Sequence, residues 1–134
     1  MLYLFYNIKT KKMTPQITTI TATIFGMLSV IFGAFGAHAL KKILSEEQLK
    51  SFETGVKYQM YHAIVLLIIG LTFNSVSQTI YWCFTLGIIL FSFSIYGLVI
   101  SSAKDKKLRF LGPITPLGGL LSILGWVFLL ISVS

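Results

Sequence analysis

The chain has 134 residues, 55% of them hydrophobic and 11% charged, with 11 lysines and arginines against four acids and a formal net charge of +7. Soluble domains carry about 25% charged residues, so an ordinary water-exposed globule is excluded, as is a separate soluble catalytic domain. The basic residues flank apolar segments rather than forming clusters, which points to membrane orientation and away from a nucleic-acid partner.

Four apolar stretches, residues 17–37, 61–76, 80–101 and 111–133, fill most of the sequence. A spanning helix needs about 20 mostly apolar residues at ~1.5 Å each. Three stretches meet that length outright. The second meets it only if the polar turn Lys57-Tyr58-Gln59-Met60 lies at the interface. The predicted fold is an all-α membrane protein, a four transmembrane helix bundle with one amphipathic interfacial helix between spans one and two.

Residues 1–13 read as an N-terminal extension that need not be translated, ahead of a single four-helix domain at 14–134. The extension's apolar run is too short and too aromatic for a signal-peptide core, and its positive charge follows rather than precedes it. Met13 offers an alternative start. Thr14 can cap the first helix, and Pro15 suits its first turn. Gly26, Ser29 and Gly33 recur at i, i+3, i+7, and Gly36 follows, a small-residue face through which helices approach closely in lipid.

Beyond His38, Ser45 and Gln48 fit a capping box, so a new helix begins there. Glu46, Lys50, Glu53 and Lys57 form its charged stripe, and Leu49, Phe52, Val56 and Met60 its apolar one, a pattern suited to a membrane surface. Thr54-Gly55 is the expected bend into span two. The link between spans two and three, residues 74–78, is short and uncharged, which demands a tight antiparallel hairpin. Cys83 is the one cysteine; it excludes an internal disulfide and reads as a small buried hydrophobe. Ser92, Ser94 and Tyr96 in span three need no ligand, since serine can satisfy itself on a carbonyl one turn back. Pro113 and Pro116 bend or unwind the start of span four.

Lys41, Lys42, Lys50 and Lys57 lie between spans one and two, and Lys104, Lys106, Lys107 and Arg109 between spans three and four. Lys9, Lys11 and Lys12 precede span one. Eight basic residues against three put both charged loops in the cytoplasm and both termini outside.

Polarity concentrates at one expected cytoplasmic boundary: His38, Glu53, Lys57, Tyr58, Gln59, Tyr61 and His62, facing a turn that holds Pro113, Thr115 and Pro116. Ionisable residues at membrane depth default to functional hypotheses. His62 follows Glu53 by nine residues, about two and a half helical turns, and is expected to share its face. Three readings compete: an interfacial hydrogen-bond cluster, a pocket for a ligand or quinone headgroup, and a bis-histidine haem or metal site. The last is least favoured, because metal ligands come in threes or fours and neither histidine is expected deep in the bilayer. No catalytic motif is readable, so no catalytic residues, cofactor or metal are expected, and a non-catalytic protein is favoured over an enzyme.

Three motifs carry a resemblance: Gly33-Ala34-Phe35-Gly36-Ala37-His38-Ala39-Leu40, Phe52-Glu53-Thr54-Gly55-Val56-Lys57-Tyr58-Gln59-Met60-Tyr61-His62-Ala63, and Gly112-Pro113-Ile114-Thr115-Pro116-Leu117-Gly118-Gly119. In this order and spacing they resemble the YgdD-like family of small bacterial inner-membrane proteins, a domain of unknown function. The resemblance implies four spans in a bacterial plasma membrane and no particular activity. The leading expectation is a small membrane protein binding a protein partner or a lipid-like ligand at its cytoplasmic face, as a homo-oligomer or with a membrane-protein partner. An accessory subunit of a larger membrane complex, with a respiratory complex as one candidate, comes next, and a small transporter is weaker because the spans lack charges and internal repeats.

Overall fold

The computed structural model describes Leu2 and residues 12–134. The expected extension, residues 1–13, lies outside the described residues except for Leu2, Lys12 and Met13. Four helices are long and apolar enough to cross a membrane. Helix α1 runs Pro15–Ala37, α2 Glu46–Thr72, α3 Gln78–Ala103 and α4 Ile114–Val133.

Local chemistry sets the helix starts. Thr14 Oγ1 accepts from the Ile17 N–H at 3.2 Å, with proline in the first turn of α1. At α2 both halves of the capping box form: the Gln48 N–H donates to Ser45 Oγ, and the Ser45 N–H donates to Gln48 Oε1. Two orphan donors are satisfied reciprocally.

The amphipathic segment is the N-terminal part of α2, continuous with span two, with no bend at Thr54-Gly55. Gly55 is needed for packing instead. A Cβ there would stand 2.8 Å from the Tyr96 ring of α3. Glu46, Lys50, Glu53 and Lys57 are exposed along one side, while Phe52, Gly55 and Gln59 are buried on the other.

Helices α1 and α2 pack as one antiparallel pair and α3 and α4 as another, with α2 against α3 joining them. On α1 the buried positions Thr18, Ala22, Phe25, Ser29 and Gly36 repeat at heptad-like spacing. Ser29 Oγ donates to the Val56 carbonyl at 3.0 Å, and Cβ atoms on Gly33 and Gly36 would meet Val56 and Phe52. Gly26 has nothing within 4 Å of its Cβ position. At about 100° per residue it sits some 60° from Ser29, at the margin of the stripe. The closest helix approach lies elsewhere: a Cβ on Gly118 of α4 would overlap the α3 backbone at Leu90 and Phe91, and one on Gly87 would overlap Ser122.

Two apolar clusters fill the interior. One gathers Phe25, Leu66, Ile80, Phe84 and Ile88, the other Leu44, Phe52, Tyr96 and Val99. Between them runs a belt of buried hydrogen bonds. Gln59, fully buried, donates to the Phe25 carbonyl at 2.8 Å and accepts from the Tyr96 hydroxyl at 2.7 Å, tying three helices together. Ser92 Oγ donates to the Gly55 carbonyl at 2.7 Å.

Helix α3 widens to a π-helical turn over Ile89–Phe93. The Ser94 hydroxyl bridges the Leu90 and Phe91 carbonyls there and meets Thr115 Oγ1 at 2.6 Å, so the loosened backbone is satisfied without water. At the far end a two-residue strand β1, Lys12–Met13, pairs antiparallel with β2, Val76–Ser77, in the link between α2 and α3.

Candidate functional site

The polar residues expected at one boundary separate into five places. His38 caps α1, its backbone N–H bonded to the Ala34 carbonyl at 3.1 Å, and its side chain is exposed beside Lys41 and Lys42. Glu53, Lys57 and Tyr61 face outward from α2. Gln59 belongs to the three-helix bond described above. Pro113 and Pro116 lie exposed at the start of α4, and Thr115 is occupied with Ser94.

Tyr58 and His62 remain together, in a different setting from the expected one. Nine residues are two and a half turns, which puts Glu53 and His62 on opposite sides of α2, and their burial follows: Glu53 is exposed and His62 buried. The two histidines are also far apart. Gly36 is level with Phe52, and the ten residues from Phe52 to His62 rise by about 15 Å. The least favoured reading, a bis-histidine site, does not fit this geometry, since the two histidines stand at different heights. Among the described residues no group of three or more His, Cys, Asp or Glu side chains could hold a metal ion.

His62 is deeper than its sequence context suggested. It stands ten residues from the end of α2 at Thr72, about 15 Å, or half of a ~30 Å hydrocarbon layer. The apolar run of span two starts late in the sequence because the outward face of the preceding turns is charged. The inward face is already buried from Phe52 onward, with Gln59 and His62 as its polar members.

The imidazole is held at both nitrogens. Trp126 Nε1 of α4 donates to His62 Nε2 at 3.2 Å, and Nδ1 lies 2.8 Å from the Tyr58 carbonyl. Indole nitrogen can only donate and a carbonyl can only accept. Together they assign the neutral ring with its hydrogen on Nδ1. Aromatic rings surround it: Tyr58 stacks at 6.3 Å, with Phe84 at 5.7 Å and Trp126 at 6.2 Å.

This group lines a cavity of about 380 Å³ whose walls include Ser92 and Phe91 of α3 and Gly119 and Ser122 of α4. The π-helical turn forms the back wall. Tyr58, Ile123 and Trp126 frame the opening, and they are 46%, 59% and 48% exposed. The cavity thus opens sideways, towards the surroundings of the helices. It contains no nucleophile with an adjacent base and no pair of carboxylates. It can receive an apolar body and read one or two polar atoms on it. Trp126 was missed at the sequence level. The signal was its position eight residues from the chain's last residue, well inside a span rather than in the interfacial belt where tryptophan concentrates.

The sequence comparisons are as uniform as the fold. A UPF0382 membrane protein of Staphylococcus haemolyticus is 44% identical over 109 residues, covering 79% of this chain and 85% of that protein. One from Staphylococcus epidermidis is 39% identical over 120 residues, covering 87% and 94%. The UPF0382 membrane protein YwdK of Bacillus subtilis is 34% identical over 122 residues, covering 87% and 95%. No solved structure matches the chain. The model of a protein family of unknown function, DUF423, matches residues 32–119, which take in all three quoted motifs and most of the cavity wall. This chain, a multi-pass membrane protein, belongs to the DUF423 family of bacterial UPF0382 membrane proteins.

Proposed function

We propose that this protein binds a lipid-like ligand, and that the His62–Trp126 cavity is where it does so. One observation carries the reading: a neutral histidine and an indole, hydrogen-bonded to each other halfway along the spans, line a sideways-opening cavity of about 380 Å³. Buried polar groups at such depth are costly unless they serve packing or a ligand. The walls suit a flat ring bearing carbonyl or hydroxyl oxygens, the chemistry of a quinone headgroup, with its tail left among the lipids. The site sits deeper than the cytoplasmic face. The protein is non-catalytic in this reading, and both termini lie outside the plasma membrane. The YgdD-like proteins, which share the three motifs, belong to the same group in this proposal.

Fluorescence tests it. In a Trp82→Phe background Trp126 is the one remaining tryptophan, and a short-chain naphthoquinone should quench it saturably. His62→Leu should weaken that binding about tenfold, the loss expected for one good hydrogen bond in a dry site. Linear quenching that is identical in the variant would refute the site.

A second reading, an accessory subunit or homo-oligomer, draws on the outer helices. Only 22% of the apolar window of α1 and 17% of that of α4 is buried, against 39% and 44% for α2 and α3. Native mass spectrometry after gentle solubilisation would reveal a stoichiometric partner or a second copy.

A further inference from the structure

Two cavities adjoin at the end of the bundle that carries the basic connecting loops. One, of about 660 Å³, opens between the first turns of α2 and the α3–α4 loop, with Lys107, Arg109 and Ser102 on its wall. The other, of about 420 Å³, runs between α2 and α4 over Ile95 and Leu98 of α3, with Thr54 and Pro116 at its sides. Ser51, Leu98, Val99 and Gly112 border both, so the two form one groove. Its outer part presents charged and hydroxyl side chains, and its inner part mainly aliphatic carbon. The loop that holds the two cations is fixed to the end of α3. The chain reverses at Asp105, whose φ of 57° is left-handed. The Lys106 N–H then donates to the Ser101 carbonyl at 2.9 Å, and the Leu108 N–H to Ser101 Oγ at 3.1 Å, one on each side of Lys107. Depth follows from α2. Ser51 and Gln48, on the opposite wall, precede His62 by eleven and fourteen residues, about 16 and 21 Å along the axis. With His62 halfway through a ~30 Å hydrocarbon layer, they stand just beyond its edge, at the level of lipid phosphates. Thr54, eight residues before His62, is about 12 Å from the middle and still inside.

We propose that this groove seats an anionic phospholipid, with its phosphate on Lys107 and Arg109 and one acyl chain laid along Ile95, Leu98 and Pro116. Charge is complementary: two cations face one carboxylate, Glu47, among the described wall residues. A guanidinium takes two phosphate oxygens at once, and basic pockets between spans suit lipid headgroups. The apolar inner part gives an acyl chain a bed that a soluble anion could not use. The change from polar to apolar wall falls at the depth where a bilayer makes the same change. The groove is separate from the His62–Trp126 cavity. Tyr58, Phe91 and Gly119 of that cavity stand one helical turn further in than Thr54, Ile95 and Thr115 of the groove.

The full chain in a neutral detergent is titrated with dioctanoyl phosphatidylglycerol and followed by native mass spectrometry and thermal shift. Binding should be saturable, raise the melting temperature and weaken as salt increases. Lys107→Gln combined with Arg109→Gln should weaken it about tenfold. Lys104→Gln combined with Lys106→Gln removes the same charge from the same loop outside the groove, and should change it by less than about twofold. All four side chains are exposed, so both double variants should fold. Glu47→Gln should tighten binding, because a like charge beside the phosphate is lost. Equal losses in the two double variants would mean a diffuse attraction to the basic end and would overturn the seat. So would weaker binding in Glu47→Gln, or equal binding of dioctanoyl phosphatidylethanolamine or dioctanoylglycerol. Inorganic phosphate binding as tightly as the lipid, or no saturable binding of phosphatidylglycerol, would overturn it too.

Discussion

Gln59 shows what one polar side chain can do inside an apolar bundle. Its amide has one donor and one acceptor engaged, to the Phe25 carbonyl of α1 and the Tyr96 hydroxyl of α3, and in lipid there is no water to replace either. Gln59→Leu should therefore lower unfolding stability by about 1–2 kcal/mol, chiefly because the Tyr96 hydroxyl is left buried and unpaired. Adding Tyr96→Phe should recover most of that loss, since removing both partners of a buried bond is far less costly than removing one. Denaturant titration of the four proteins of this cycle measures the coupling; strictly additive losses would mean the bond contributes nothing. The sequence disclosed that Gln59 was polar and near a membrane boundary. It did not disclose which side of α2 mattered. Tyr58 and Gln59 are adjacent and hence 100° apart, so one looks into the cavity and the other into the helix core.

The elements divide between what periodicity makes visible and what only neighbours decide. Caps and span lengths are local, and Thr14, Pro15 and Ser45 with Gln48 announced two helix starts correctly. Closeness between helices is not local. Gly26 and Gly118 look equivalent as letters, yet one faces open space and the other the backbone of Leu90 and Phe91. Gly118→Ala should thus push α3 and α4 apart and lower the melting temperature clearly, whereas Gly26→Ala should leave it unchanged or raise it slightly through better helix propensity. Thermal unfolding of both variants in one detergent checks the contrast, and equal effects would contradict this packing. The π-helical turn was equally invisible, because Ile89–Phe93 reads as ordinary apolar helix. Its extra residue per turn is sustained by the Ser94–Thr115 contact across to another helix.

At the scale of the whole molecule, charge asymmetry predicts orientation. The described basic residues of both connecting loops lie at one end of the bundle, and the β1–β2 pairing, with Lys12, at the other. With Cys83→Ser as background, Ser134→Cys should react with an impermeant maleimide in intact cells, and Ser102→Cys should react only after the membrane is opened. The reverse pattern would invert the protein. Four spans and their antiparallel order follow from hydropathy and short links. The order in which the helices neighbour one another does not, because any of several arrangements buries similar area. Selection among them falls to particular contacts such as Ser92 with Gly55 and Thr21 with Tyr81, which no local pattern encodes. The candidate cavity inherits that limit: Tyr58 and His62 on α2 lie more than sixty residues from Trp126 on α4, and no local pattern encodes their meeting.

The small clasp between Lys12–Met13 and Val76–Ser77 also bears on biogenesis. The two strands are separated by 65 positions, from residue 12 to residue 77. Ribosomes add about 5–20 residues per second, so the earlier strand waits several seconds for the later one to be made. During that interval the first helix can tilt, slide or leave the translocation machinery with one end untied. Only when the second helix has returned and the chain has emerged again on the starting side can the knot close. The clasp can close only after both spans of the initial hairpin are in place, so it ties the start of the first helix to the end of the second.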